Sequence, residues 1–292
     1  NTHKDNRKAH ISISLSLLSY YMRTKPQEEA LAFANCLISH FQNDGSLSYA
    51  FLLKNRSNFL SDTQALDSLH DCVKIFEKHG RKDLVAMTAI TMASRHVYSG
   101  NPELALELIN KTENDAITLG IPIRRYYFYN NRSALHLLLG IYTEQTEQEL
   151  NIASLLCSSL FEKAIILCNL MIYYFKTQQY EHARATFIDI ESLDLKGYRN
   201  SDLELILLQN KWYYFIETNQ EELARNAETE IARFFNSSSC PDDIQNHLLN
   251  YFPHLLPAKK PQPTYMSQFR EHPEFIGYWQ YEVTYDDCTD PD

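Results

Sequence analysis

The chain has 292 residues, 44% of them hydrophobic and 22% charged, the composition of a folded globular protein and not of a disordered one. Lys plus Arg total 27 against 37 Asp plus Glu, a net charge of −10. An acidic surface with no dense basic stripe repels phosphate backbones, which excludes nucleic acid as the main partner.

From the N-terminus, the first feature is a turn at "TKPQEEA" (24–30), preceded by the apolar Leu17, Leu18 and Tyr21. Leu17 and Tyr21 are four apart, the spacing of one helical face. Helices are then expected over roughly 46–60 and 62–79, without a clean turn motif between them. Gly80, Gly100 and Gly120 follow, spaced as helix ends. Within this stretch "LHDC" (69–72) and His79 bring His, Asp and Cys close together. A zinc site needs a fourth ligand, so the expectation is a helix surface with His70 exposed and Cys72 buried. His96 takes the place of a stripe aromatic and reads as a hydrogen-bonded core histidine.

The second turn is "SGNPELA" (99–105), in register with the first. Past it, "RRYYFYNNR" (124–132) combines Arg124, Arg125 and Arg132 with aromatics including Tyr127, the composition of a protein-binding hot spot. "TEQTEQE" (143–149) is read as a degenerate turn, with Thr143 in place and Glu149 where Ala belongs. The stretch "AIILCNLMIYYF" is too short for a membrane span and contains Asn169. It leads to the third turn, "TQQYEHA" (177–183), and a fourth follows at "TNQEELA" (218–224).

All four turns carry Thr or Ser, Glu four residues on and Ala six residues on. The hydroxyl residue ends one helix and the polar residues turn the chain. The Glu meets the positive end of the next helix, and the Ala permits close helix crossing. Ala183 and Ala224 lie about 40 residues apart, and the earlier Ala-to-Ala gaps are nearly double that, so each hides one more copy. The fold expected is all-α, a stack of about six helical hairpins.

Residues 8–236 resemble the tetratricopeptide repeat family. The small-residue turn, the aromatic closing the first helix (Tyr21, Tyr174, Phe215) and "QYEHA" at 179–183 carry the likeness. The resemblance implies a right-handed superhelix (an α-solenoid) whose first helices line a concave groove that binds another protein or peptide. Asn169 and Asn210 occupy equal places, each eight residues before its turn Thr. With Phe175, Tyr213, Arg124, Arg125 and Tyr127 they are the candidate partner-binding residues, because an amide between aromatics can grip a peptide backbone.

Beyond 236, "NSSSCPDD" starts one last helix through Tyr251, and Pro253, Pro257, Pro261 and Pro263 then enforce an extended linker. The organisation expected is a repeat domain over 1–252, a linker over 253–263 and an aromatic tail over 264–292 that packs as a cap. The six cysteines show no paired spacing, and the seven glycines form no phosphate loop. No catalytic residue, metal site or cofactor is expected in this segment. The reading is a cytoplasmic protein-binding module that does not engage membranes. Its context is the ligand-sensing arm of a larger signalling or antiviral-defence protein of the bacterial signal-transducing NTPase type, with any homo-oligomer formed through that parent. A chain opening on Asn1 suits a piece of such a parent. The alternatives are a stand-alone scaffold or chaperone adaptor, and a peptide- or small-molecule-sensing regulator.

Overall fold

The computed structural model describes residues 10, 13–18, 20–21, 27–41, 45–121, 124–195 and 201–235. The helix expected through Tyr251, the Pro-rich linker, the aromatic tail and the turn residues Thr24 and Pro26 lie outside them. Every regular element among the described residues is helical: α1 (Gln27–Phe41), α2 (Leu47–Ser57), α3 (Asp62–Lys78), α4 (Lys82–Tyr98), α5 (Pro102–Thr118), α6 (Arg125–Leu138), α7 (Glu144–Leu156), α8 (Leu160–Lys176), α9 (Tyr180–Ser192), α10 (Ser201–Glu217) and α11 (Glu221–Phe235).

Local chemistry sets the helix starts. Ser46 caps α2 by accepting from the Tyr49 amide, and Ser159 forms a capping box with Glu162 at the start of α8. Pro102 opens α5, where its missing N–H has no helical partner to lose.

One device ends five of the eleven described helices. Gly80, Gly120, Gly140, Gln178 and Asn219 sit at positive φ just past a helix end, with the paired backbone bonds of a Schellman turn. At Gln178 these are Gln178 N–H to Phe175 C=O (3.0 Å) and Gln179 N–H to Tyr174 C=O (2.8 Å). The hydroxyl of the turn motif satisfies a further carbonyl. Ser99, Thr177 and Thr218 each donate to the carbonyl four residues back, at 2.8, 2.9 and 2.7 Å. The motif Ala is buried in every copy: Ala30, Ala105 and Ala183 are fully enclosed and Ala224 nearly so.

The α6–α7 turn differs from expectation. Its positive-φ residue is Gly140, and Thr143 does not end a helix but caps the next, accepting from the Thr146 amide at 3.3 Å. Glu149, in the Ala place, is buried and ion-paired instead of small.

The helices divide into two compact units, and the division falls inside α5: Gly100–Leu106 belongs to the second unit and Glu107–Ile123 to the first. In the first, α1 packs on α2, α2 on α3 and α3 on α4. Phe51 and Phe76 meet at 5.2 Å in a core with Leu18, Leu52 and Cys72. In the second, α6–α7, α8–α9 and α10–α11 are hairpins. The first helices also pack on one another, α6 on α8 and α8 on α10. Consecutive hairpins stacked through their first helices are the arrangement of a helical repeat.

Candidate functional site

Helix α8 is apolar on every side, and residues 164–175 are buried without a break. A helix hydrophobic all round is an interior helix, and α6, α7, α9 and α10 all pack against it. The one polar residue inside that run is Asn169, fully buried. Its Nδ2 donates to Asn130 Oδ1 of α6 at 3.0 Å, and its Oδ1 has no hydrogen-bond partner.

Asn169 lies eight residues before the residue that ends α8, and so does a buried polar side chain in three other first helices. Thr91 precedes Ser99 of α4 by eight, Asn131 precedes Leu139 of α6, and Asn210 precedes Thr218 of α10. Thr91 is 2% exposed, Asn131 0% and Asn210 2%. Each of the four carries a side-chain atom without a hydrogen-bond partner: Thr91 Oγ1, both polar atoms of Asn131, Asn169 Oδ1 and Asn210 Oδ1. Asn210 uses its Nδ2 on the Ile206 carbonyl of its own helix, at 2.8 Å. Gln209 beside it leaves Nε2 unpaired. Most buried polar groups are satisfied, and each orphan costs about 1–3 kcal/mol. The three of the second unit stand at one repeat position as a ladder and leave hydrogen-bonding capacity that is not spent on the fold, and Thr91 holds the equivalent place in the first unit. In the α2–α3 hairpin of the first unit the same place is held by Ala50.

Asn169 and Asn210 were singled out in the sequence as equal places. Asn131 was not, because the turn after α6 has no Thr or Ser and aligns only on its positive-φ Gly140, and Thr91 was passed over although Ser99 is in register with the other turns. The rest of the sequence-predicted set separates in space. Phe175 and Tyr213 are buried and meet edge to face at 5.5 Å between α8 and α10. Tyr127 is buried, stacks on Tyr126 at 4.4 Å, and donates its hydroxyl to Glu162 at 2.8 Å. Arg124 and Arg125 are exposed at the start of α6. Arg132, from the same cluster, is buried, and its Nε and Nη2 reach Glu149 at 2.8–3.1 Å. The amides and aromatics thus form an interior seam, away from the solvent-facing pair of arginines.

An open cleft of about 420 Å³ lies elsewhere in the second unit, over α8 between α7 and α9. Leu170 and Tyr174 line it with the polar Asn151, Lys163, His182 and Asp189. Leu155 of α7 is 84% exposed.

The His–Asp–Cys stretch resolves as a helix surface. His70 is exposed and bonds the Leu66 carbonyl at 2.8 Å, while Cys72 is buried with its thiol pushed up to about 12 by that burial. His79 is exposed and bonds Gly45 C=O. No cluster of three His, Cys, Asp or Glu suited to a metal occurs among the described residues. His96 is half-buried, its pKa lowered by burial and by His70 nearby. No helix among the described residues is long and apolar enough to cross a membrane.

No family model and no curated protein matches the sequence. Among solved structures, the chain is similar to nearly identical TPR-like repeats of kinesin light chain type from Podosopora anserina. The identity is 12%, the TM-score 0.48, and the match covers 65% of this chain and 98% of that one. A single-substitution variant of those repeats gives 13%, 0.49, 65% and 99%.

Proposed function

We propose that this chain is a protein-binding repeat module that takes an extended segment of a partner protein along its first helices, with Asn131, Asn169 and Asn210 bonding the partner's backbone. The observation that carries this is the recurrence of an unsatisfied polar atom at one repeat position. Packing alone does not require an amide there, and an apolar side chain of similar size removes the cost. An extended backbone offers a free N–H and C=O at every residue, the groups that orphaned amides complete. Phe175 and Tyr213 flank the seam as the aromatic contacts, and Arg124 and Arg125 extend the surface at the start of α6.

The ladder is covered in the structure, so binding entails separation of the first helices. The orphaned atoms assist this, because they raise the free energy of the closed form and are relieved in the open one. The test selects binders from a random nonapeptide display library and titrates one by calorimetry. Loss of binding in Asn131→Leu and Asn169→Leu, with helical spectra retained, supports the ladder. Unchanged affinity in both refutes it.

The α7–α9 cleft supports a second reading, a peptide- or small-molecule-sensing regulator. Under it, Lys163→Ala and His182→Ala abolish binding and the ladder variants do not. The role of sensor arm in a larger signalling NTPase rests on the sequence resemblance alone, and a nucleotide-binding loop encoded upstream of Asn1 is its test.

A further inference from the structure

We infer that the open α7–α9 cleft is a binding site for a zwitterion, an unblocked dipeptide with apolar side chains. The inference rests on the second reading above, adds to it the class of ligand, and is independent of the seam between the first helices.

The cleft is built from helix faces. Lys163, Leu167, Leu170 and Tyr174 of α8 line it and fall at i, i+4, i+7 and i+11, a single helical stripe. His182 and Asp189, seven apart on α9, stand on one side, and Asn151 of α7 stands on the other. Unlike the seam, this surface is accessible: Asn151, His182 and Asp189 are exposed and Lys163 is half-buried. The volume of about 420 Å³ falls within the range of about 300–1,000 Å³ usual for small-ligand sites.

The two full charges of the lining are opposite, and they are not spent on each other. Neither Lys163 nor Asp189 enters an ion pair among the described residues. Their separation follows from the hairpin. Tyr174 stacks on His182 with ring centroids 5.1 Å apart, and α9 returns antiparallel to α8. Seven residues back from Tyr174 is Leu167 and seven on from His182 is Asp189, so these two are level. Lys163 lies one turn further, about 6 Å along the axis. An extended chain advances about 3.3 Å per residue, so that separation corresponds to about two residues.

A dipeptide therefore meets both charges at once, its carboxylate at Lys163 and its ammonium at Asp189, as charge-assisted hydrogen bonds. Its side chains cover Leu167, Leu170 and the Tyr174 ring, removing apolar surface from water. That ring is fixed in place, because its hydroxyl donates to Glu147 at 3.1 Å and its face lies against His182. A ligand with a single charge would cover the other charge of the cleft without pairing it, which is unfavourable.

The experiment titrates the full chain by calorimetry with leucyl-leucine, its N-acetyl derivative, its C-terminal amide and free leucine. Leucyl-leucine is expected to bind, and either block to weaken it at least about tenfold, the scale of one hydrogen bond to a charged group. In Lys163→Met the acid should lose its advantage over the amide, and in Asp189→Asn the free amine its advantage over the acetylated one. A merely structural role for either residue does not move these ratios. Ala185 is exposed and lines the cleft, so Ala185→Trp fills the cleft from α9 and should abolish binding with the helical spectrum retained. Blocked dipeptides that bind as well as the free one, leucine that binds more tightly than leucyl-leucine, or no binding by any of the four overturns the dipeptide inference and leaves the cleft reading standing. Binding indifferent to Ala185→Trp overturns both.

Discussion

Asn169 of α8 donates its side-chain amide to Asn130 Oδ1 of α6 across 3.0 Å, with both residues buried. The next residue along α6, Asn131, is equally buried and leaves both polar atoms unpaired. The two amides therefore answer oppositely to one substitution. Asn131→Leu removes an unsatisfied group and is expected to stabilise the protein by about 1 kcal/mol. Asn169→Leu strands Asn130 Oδ1 in the interior and is expected to cost about 1–3 kcal/mol. Thermal unfolding of the two variants beside wild type gives the comparison, and two shifts of the same sign would be inconsistent with the hydrogen bonding described.

The buried pair Arg132–Glu149 pins α6 to α7, with Nη2 to Oε1 at 2.8 Å and Gln145 adding a third donor at 2.9 Å. Removing one partner leaves an unpaired charge in the interior. Glu149→Ala is expected to cost about 3–5 kcal/mol, and the double variant Arg132→Met, Glu149→Leu to recover most of that. Denaturant titrations of the two singles and the double measure the coupling. Additive losses would place the pair in water, not in the interior.

The turns offer a stabilising change. Gln178 and Asn219 adopt positive φ at 60° and 57°, where the equivalent turns after α3, α4, α5 and α6 use Gly80, Gly100, Gly120 and Gly140. A side chain in that region is strained, least so for Asn. Gln178→Gly is expected to raise stability by about 0.5–1 kcal/mol and Asn219→Gly by less. Differential scanning calorimetry ranks them, and a fall in melting temperature for Gln178→Gly would contradict the turn geometry.

Ala183→Leu tests the repeat itself. Ala183 is fully buried where α9 packs on α8, so a leucine there overpacks the crossing and is expected to cost about 1–3 kcal/mol. An unchanged melting curve would mean that the two helices do not approach at that residue.

Much of this was legible in the sequence, because the turn motif concentrates local physics. The hydroxyl that donates to the carbonyl four residues back, the Glu of the first turn and the small Ala all act within one hairpin. What was not legible depends on contacts between hairpins. The unbroken apolar run of α8 signals all-round burial, yet the resemblance puts Asn169 and Phe175 on an open groove, since a sequence does not say how many neighbours cover a helix. Arg132 was grouped with Arg124 and Arg125 by proximity. It was not paired with Glu149, whose place in the repeat belongs to Ala. Asn131 went unnoticed as a rung because its turn, Leu139–Gly140, lacks the Thr that aligned the others.

The last expectation concerns pH. Glu162, in the first turn of α8, accepts the Tyr126 and Tyr127 hydroxyls at Oε1 (2.7 and 2.8 Å) and the Ser158 and Ser159 amides at Oε2 (both 3.1 Å). Partial burial alone would raise its pKa, but these donors outweigh that and hold it below the ordinary 4.5. A carboxylate depressed in the folded state stabilises it fully above the unfolded value, and the contribution is lost as pH falls through the folded one. Glu162→Gln keeps the shape and removes the charge. It is expected to cost about 1 kcal/mol at neutral pH, the scale of a weakened hydrogen-bond set at a half-exposed site. The gap to wild type should stay constant down to about pH 5 and close progressively below the ordinary 4.5. Denaturant midpoints of both proteins from neutral pH to about pH 3 check it. A gap that widens on acidification would mean that Glu162 is protonated in the fold and that the tyrosines donate to a neutral acid.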